Sequence, residues 1–371
     1  MHIAIIGAGV SGLLTALELV EQGCQVSIFD QQQPGKAASW AGGGILSPMY
    51  PWRYPRPVNE IAQHGKTLYT QWNEKLLPVT GTDFQIHETG MLIFDEDDFE
   101  TGLNYKDRYQ EPMQQCEYLQ REQLKQVNPH ISEQFQHAIY FPQLANVRNP
   151  RLLQSLLAYL KQHPAAEIYE NCWIEQFSIQ HGKIQSIQSQ SGQTFTADEY
   201  IIATGAWSAH WSEQLQLSIP VAPVQGQMLL FKTPENWLPT MCMNQVMYLI
   251  PRMDGHIVCG SSMDNIGFDK RPSVQTQQNI FKACTEMVPE LANFPVVKQW
   301  AGLRPGSPTG VPYIGKLPEL HNAWANFGHH RNGLCMGPGS ARLLRQLILK
   351  QPTLVNPDAY NPARLKSSVH G

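Results

Sequence analysis

Two hydrophobic rhythms run along the chain, and its first thirty residues contain both. Ile3–Ile6 is an apolar run long enough for one buried strand. From Leu13 the spacing turns helical, with Leu13, Leu14, Leu17 and Val20 on one side. Gly7, Gly9 and Gly12 stand between them at GxGxxG spacing, and a second strand at Gln25–Phe29 ends on Asp30. Strand, glycine turn, helix and distal acid are the context in which this motif binds a dinucleotide. Backbone without Cβ atoms admits a pyrophosphate, and the helix N-terminus offers free N–H groups and a partial positive charge. Asp30, 18 residues past Gly12, can accept both ribose hydroxyls and would repel a 2′-phosphate. The plainer alternative is a tight turn without a ligand.

Downstream, Gly42, Gly43 and Gly44 form a second glycine cluster. Its entropic cost is explained by a flat ligand against the main chain or, with less purpose, by a flexible loop. The aromatic, proline-rich segment 49–55 either covers a site or packs as a stiff extended segment, and packing is the favoured reading. Helical spacing spans Val58–Leu77 through Ile61, Leu68, Trp72 and Leu76. Residues 81–137 mix short strands, such as Gly90–Phe94, with charged helical segments and read as a cap. Asn149-Pro150 predicts a helix start, with Asn149 as N-cap, Pro150 at the first helical position and Leu152, Leu153, Leu156, Leu157 and Leu160 on the apolar face. From Ala166 to Phe195 the period is two, with turn signals at His181-Gly182 and Ser191-Gly192, which predicts a β-meander. Tyr200–Ala203 is a strand running into Thr204-Gly205, a second backbone approach to the same dinucleotide. Strands follow at Met228–Phe231, Met247–Ile250 and His256–Gly260, then a helix around Ile280–Met287. The chain closes as strand, glycine-rich loop and helix, with Leu343, Leu344, Leu347 and Ile348 facing inward.

The expected fold class is α/β, α+β overall: a Rossmann-like dinucleotide domain interleaved with a mainly antiparallel β-sheet substrate domain. Residues 1–80, 138–218 and 299–371 are assigned to the first, and 81–137 and 219–298 to the second. The length of 371 residues supports that much core. A net charge of −4 gives no electrostatic support to a nucleic-acid or membrane-surface role. Seven scattered cysteines without a C-x-x-C pair argue against a disulfide framework or a zinc knuckle and favour a reducing cytoplasm; no metal site is expected. The N-terminus lacks a basic start and is interrupted by glycines and Glu18, so it does not read as a signal peptide. No apolar run reaches the roughly 18 residues of a membrane span.

Several segments together carry a resemblance: IAIIGAGVSG, ASWAGGGILSP, ANVRNPR, IIATGAWS, MYLIPR, WAGLRPGSPTGVPYIG and GHHRNG. GLRPG and GHxRNG are far more specific than GxGxxG, and the match runs over nearly the whole chain. The sequence resembles the D-amino-acid oxidase family of flavoproteins, and within it the glycine-oxidising branch tied to bacterial thiamine biosynthesis. The resemblance implies FAD, a two-domain fold, a homo-oligomer and oxidation of a small amino acid by O₂. Carried over by residue, Gly7, Ala8, Gly9, Val10, Ser11, Gly12, Asp30 and Gln31 would serve the ADP half. Ser39, Trp40, Ala41, Gly42, Gly43 and Gly44 would line the isoalloxazine ring, with Val147, Thr204, Gly205 and Trp207 adding contacts. Gly328, His329, Arg331, Asn332, Gly333 and Leu334 would approach the pyrimidine side of the flavin and the substrate. His330 stands where relatives often carry an aromatic, and Gly337–Ser340 replaces an alanine-rich start to the last helix. Sarcosine-oxidase relatives attach flavin through a cysteine near the LRPG position; Leu303, Arg304 and Pro305 stand there, which implies non-covalent FAD.

The chemistry follows from few side chains. Arg304, expected in a loop, offers a fork that binds a substrate carboxylate through two parallel hydrogen bonds, or else pairs with a surface acid. Tyr248 would add a hydroxyl to the same carboxylate; without the resemblance it reads as a core aromatic. Arg331, among His329, His330, Asn332 and Gly333, is costly to bury without purpose and is assigned with His329 to the substrate–flavin boundary. No side-chain acid or base is assigned, and the N-terminus of the last helix, near Ser340, is expected to stabilise negative charge on reduced flavin. The implied reaction is hydride transfer from glycine to flavin N5, giving an imine, then an oxo acid, ammonia and H₂O₂. The alternatives are an oxidase or dehydrogenase for sarcosine, D-proline or another D-amino acid, an NAD-dependent dehydrogenase, and a dinucleotide-binding sensor without turnover.

Overall fold

β1 (His2–Ile6) is apolar on both faces because it runs inside a parallel sheet, between β2 (Gln25–Phe29) and the strand Glu199–Ile202. In this computed structural model, which describes residues 1–105 and 115–367, that sheet has six strands. Their order is Tyr313–Lys316, Ala323–Phe327, Glu199–Ile202, β1, β2 and Ala166–Tyr169. The hairpin pair 313–316 and 323–327 is antiparallel and the other pairings are parallel. α1 (Val10–Val20) crosses from β1 to β2 and packs on the last helix, Gly333–Ile348, so that Leu13, Leu14 and Leu17 share one core with Leu343 and Leu344. Glu18 is buried there too, and a charge is tolerated because Arg342 and Arg345 of the last helix hold it at 3.0 and 3.4 Å.

A second sheet has eight strands, in the order Val296–Gly306, Ala222–Lys232, His256–Gly260, Tyr248–Pro251, Met241–Met243, Met91–Ile93, His137–Phe141 and Glu117–Gln120. Met241–Met243 runs parallel to Met91–Ile93, and the remaining neighbours are antiparallel. The helix Val274–Met287 covers one face with Ile280, Cys284 and Met287. No helix among the described residues is long and apolar enough to cross a membrane.

Several local expectations change because tertiary partners override local pattern. His137–Phe141 and Val296–Gly306 pair within the eight-stranded sheet, so boundaries at 138 and 299 cut through two of its strands. Ala166–Tyr169 joins the parallel sheet beside β2, and the antiparallel meander begins at Ile174. The helical stretch 58–77 is two helices, Arg56–Ala62 and Gly65–Thr80, broken at Gln63-His64. The N-cap of the helix Asn149–Gln162 is Arg148, while the Asn149 amide turns inward to another task. Residues 106–114 of the expected cap and the last four of the segment 299–371 lie outside the described residues.

Candidate active site

The carboxyl ends of β1, Glu199–Ile202 and Ala323–Phe327 open onto the eight-stranded sheet along a cleft, the usual ligand position in such folds. It has two chambers with about 780 and 1100 Å³ of empty space, joined where Gly9, Ala38, Ser39, Ala203 and Gly205 line both.

Gly7, Gly9, Asp30, Gln31, Thr204 and Trp207 line the smaller chamber. The three motif glycines differ in what they do. Gly7 has φ +106° and lies against the Ala203 backbone, and a Cβ on Gly12 would strike the Gly7 carbonyl. Both are therefore required by chain packing. Gly9 is the N-cap of α1, and a Cβ there would meet only Ser39 Oγ, at 3.3 Å, so chain packing does not demand a glycine there as it does at Gly7 and Gly12. Ser39 Oγ accepts from Val10 N–H at 2.9 Å, which ties α2 (Ala38–Ala41) to the start of α1. Asp30 accepts from the N–H groups of Ala8 and Gln32, both at 2.9 Å. Burial raises its carboxyl pKa, and those two N–H groups oppose the rise.

Val10, Ser11, Ser39, Ala41, Gly42, Gly43, Gly44, Gly205, Tyr248, Arg304, His329, Arg331, Asn332, Gly333 and Leu334 line the larger chamber. Arg304 lies on the strand Val296–Gly306 rather than in a loop, because GLRPG is held extended opposite Ala222–Lys232, with Val224 facing Arg304. Its guanidinium donates to the carbonyls of Gln225 at 3.3 Å and Ser262 at 3.1 Å, and to Ser261 Oγ. The Tyr248 hydroxyl donates to the same Ser261 Oγ at 3.2 Å, so one serine joins the two groups. Burial lowers the Arg304 pKa from its ordinary value, and the neighbouring Tyr248 opposes the fall.

Arg331 is exposed at the cleft mouth and not buried. The turn after Gly328 (φ +82°) puts His329 and Asn332 inside and leaves Arg331 toward solvent. His329 is 3% exposed; its Nε2 and Ser340 Oγ share a 3.1 Å hydrogen bond, and burial pushes its pKa down to about 4. The last helix begins at Gly333, so Ser340 sits inside it and the N–H groups at its start belong to Gly333 and Leu334. Five expected residues do not line the cleft. Ala8 supports Asp30, Gly12 lies beneath Gly7, Trp40 stacks edge-on to Trp300 at 5.8 Å, Val147 lies behind the glycine loop, and the Gly328 carbonyl accepts from Ser307 at 2.7 Å. Met49 and His330, from segments the sequence already marks, also line the cleft. Gly226, Met228, Ser261 and Asn326 line it too and are not legible as site residues. They come from strand faces and turns whose local pattern carries no sign of which cavity they meet.

These features fit FAD. The cleft is long and bipartite, an acid and a helix N-terminus stand in one chamber, and glycine backbone lines the other. The buried Asn332 Nδ2 has no partner among the described residues. Among the described residues no group of three or more His, Cys, Asp or Glu is placed to hold a metal ion. The chain is 41% identical to glycine oxidase of Pseudomonas putida over 361 residues, 97% of this chain and 98% of that protein. It is 27% identical to the bifunctional protein ThiO/ThiG of Trichormus variabilis over 356 residues, 94% of this chain and 53% of that protein. The crystal structure of glycine oxidase from Geobacillus kaustophilus matches with a TM-score of 0.91 at 26% identity, covering 98% of both chains. The family described as DAO, FAD dependent oxidoreductase, matches residues 2–347, and with that the cleft has its cofactor: this chain is a member of the DAO family of FAD-dependent oxidoreductases.

Proposed function

We propose that the chain oxidises glycine to an imine with FAD and O₂, the imine then hydrolysing to an oxo acid and ammonia while O₂ becomes H₂O₂. The observation that carries this reading is the meeting of Arg304 and Tyr248 at Ser261, at the end of a glycine-lined cleft. The likeness to glycine oxidases over nearly the full chain supports it. In this reading the six-stranded sheet carries the cofactor and the eight-stranded sheet carries the substrate. Asp30 would hold the ribose hydroxyls, the start of α1 the pyrophosphate, and the loop 42–44 the flavin ring.

The chain's own part is binding and orientation. Arg304 and Tyr248 grip the carboxylate and so fix the position of the neighbouring carbon. FAD, when bound, supplies the two-electron acceptor and passes the electrons to O₂. The positive charges of Arg304 and of Arg331 at the mouth disfavour an ammonium group, which keeps the substrate amine neutral. His329, with its pKa near 4, stays uncharged and adds no cation to the flavin's edge. No side chain is needed as general base.

The test is the visible spectrum of the purified holoenzyme. Anaerobic glycine should bleach the flavin band, and air should restore it with one H₂O₂ per glycine. A flavin that glycine leaves oxidised would end this reading. The same peroxide assay with sarcosine, D-alanine and D-proline ranks the amino-acid alternatives. We assign the product to thiazole assembly for thiamine, supported by relatives in which the matching chain is half of a ThiO/ThiG protein. A deletion strain that grows without added thiazole would remove that assignment. A homo-oligomer is proposed from the family resemblance, and sedimentation at working concentration tests it.

A further inference from the structure

The glycine loop 42–44 is gripped from behind by a cluster outside the chemistry above. Asn149 Nδ2 donates to the Gly42 carbonyl at 2.6 Å and to the Ser39 carbonyl at 3.1 Å. Arg252 Nη2 donates to the Gly43 carbonyl at 2.7 Å, and Val147 N–H donates to the Gly44 carbonyl at 2.8 Å. Arg252 is only 6% exposed, and its other arm donates to Asn146 Oδ1 at 2.6 Å and to the Val147 carbonyl at 2.9 Å. Every acceptor it meets is neutral, and Asp254, the nearby acid, is paired with Arg148 at 2.7 Å. A buried guanidinium spent on main-chain carbonyls is costly, so its geometry is the return.

A trans peptide points its C=O and N–H in opposite directions. With three successive carbonyls drawn back toward 146–149 and 252, the N–H groups of Gly43, Gly44 and Ile45 point away from that cluster. Among the described residues these three N–H groups have no acceptor, and all three residues line the cleft.

We infer that Arg252, with Asn149, is a positioning residue that turns the 42–44 loop so that a row of main-chain N–H donors faces the flavin ring. The inference rests on the reading that the ring lies along this loop. Oriented donors beside the ring favour the electron-rich, reduced flavin, because their dipoles need no reorganisation when charge develops. Burial pushes the Arg252 pKa down to about 9, so at neutral pH the guanidinium is still cationic and the same sign of field stands behind the loop.

The experiment uses the FAD-loaded enzyme and sulfite, which adds to electron-poor flavin, as the probe. Arg252→Lys keeps the charge but cannot span the three acceptors, and Arg252→Met removes both charge and donors. Both variants should retain FAD and bind sulfite more weakly, on the order of tenfold, the scale of one lost charge-assisted hydrogen bond. Asn149→Ala should move in the same direction by less. Sulfite affinity at the wild-type value in both Arg252 variants overturns the inference, even where the melting temperature falls. Wild-type affinity in Arg252→Lys alone also overturns it, since charge without positioning then suffices. If the Arg252 variants do not fold, Asn149→Ala decides, and wild-type sulfite binding there is the overturning result. Gly44→Ala separates the underlying reading, because Gly44 has φ +83° and a Cβ there would meet the Val147 carbonyl oxygen at 2.2 Å and Asn149 Oδ1 at 2.3 Å and displace the loop. If that variant leaves the flavin spectrum and sulfite affinity untouched, the ring does not lie on this loop and the cofactor reading itself fails. If it changes both while the Arg252 and Asn149 variants do not, only the positioning inference falls.

Discussion

The Arg304 guanidinium lies where a side chain on Gly226 would be: a Cβ built on that glycine would overlap Nη1, Nη2 and Cζ. The two strands pair Gly226 with Gly302 and Val224 with Arg304, so the long side chain folds back across the sheet over a bare Cα. Gly226→Ala should push the guanidinium into the cleft and misplace the substrate carboxylate. The expected result is a rise in KM for glycine of about tenfold, a loss of ~1.4 kcal/mol, with FAD content unchanged. Steady-state peroxide kinetics measure it, and an unchanged KM would show that the Arg304 fork does not set substrate position.

Removing the fork itself should cost more. Arg304→Leu is expected to lose ~2–5 kcal/mol of substrate binding, the range for truncating one partner of a buried charge pair. Tyr248→Phe should lose ~0.5–1.5 kcal/mol for one hydrogen bond. Because Ser261 joins the two groups, Tyr248→Phe and Ser261→Ala should be non-additive in kcat/KM. Strict additivity would mean the serine is a bystander.

Acid should weaken the fold through His329. Its folded pKa is about 4, against an ordinary value of ~6.5. Between those values the unfolded chain takes up a proton that the folded chain refuses. The stability this neutral histidine contributes is complete above the upper value and is lost as pH falls toward the lower one. The stability difference between wild type and His329→Asn should therefore shrink by up to ~3 kcal/mol across that window. Denaturant titrations of both proteins at several pH values read it directly, and parallel pH curves would contradict it.

The flavin should come off with acid. No cysteine stands at the LRPG position, and Cys335, in the first turn of the last helix, is 1% exposed with its thiol pushed up to about 12 by burial. A protonated thiol is not a nucleophile toward the ring. Acid precipitation should leave a colourless pellet and free FAD in the supernatant; a yellow pellet would establish a covalent link.

Much of this protein is legible residue by residue. The β1–α1–β2 unit, the glycine turn, Asp30 at the strand end and the apolar face of the last helix are local, because each depends on spacing within one element. Gly42–Gly44 and Arg304 stand out by residue type and neighbours, Tyr248 only through the family likeness, and the fold brings all of them to one cleft. What the chain alone could not decide is who meets whom. Arg304 looked like a loop residue until Ala222–Lys232 held it extended, and Arg331 looked buried until the Gly328 turn put His329 and Asn332 inside instead. Asn149 read as a helix cap, yet its amide is spent on the carbonyls of Ser39 and Gly42, more than a hundred positions away. Gly226, Ser261 and Arg252 carry no local sign of their tasks. A backbone gap, a shared hydroxyl and a charge aimed at three carbonyls exist only once distant strands are brought side by side, since hydrogen bonding and steric fit act through space and not along the sequence.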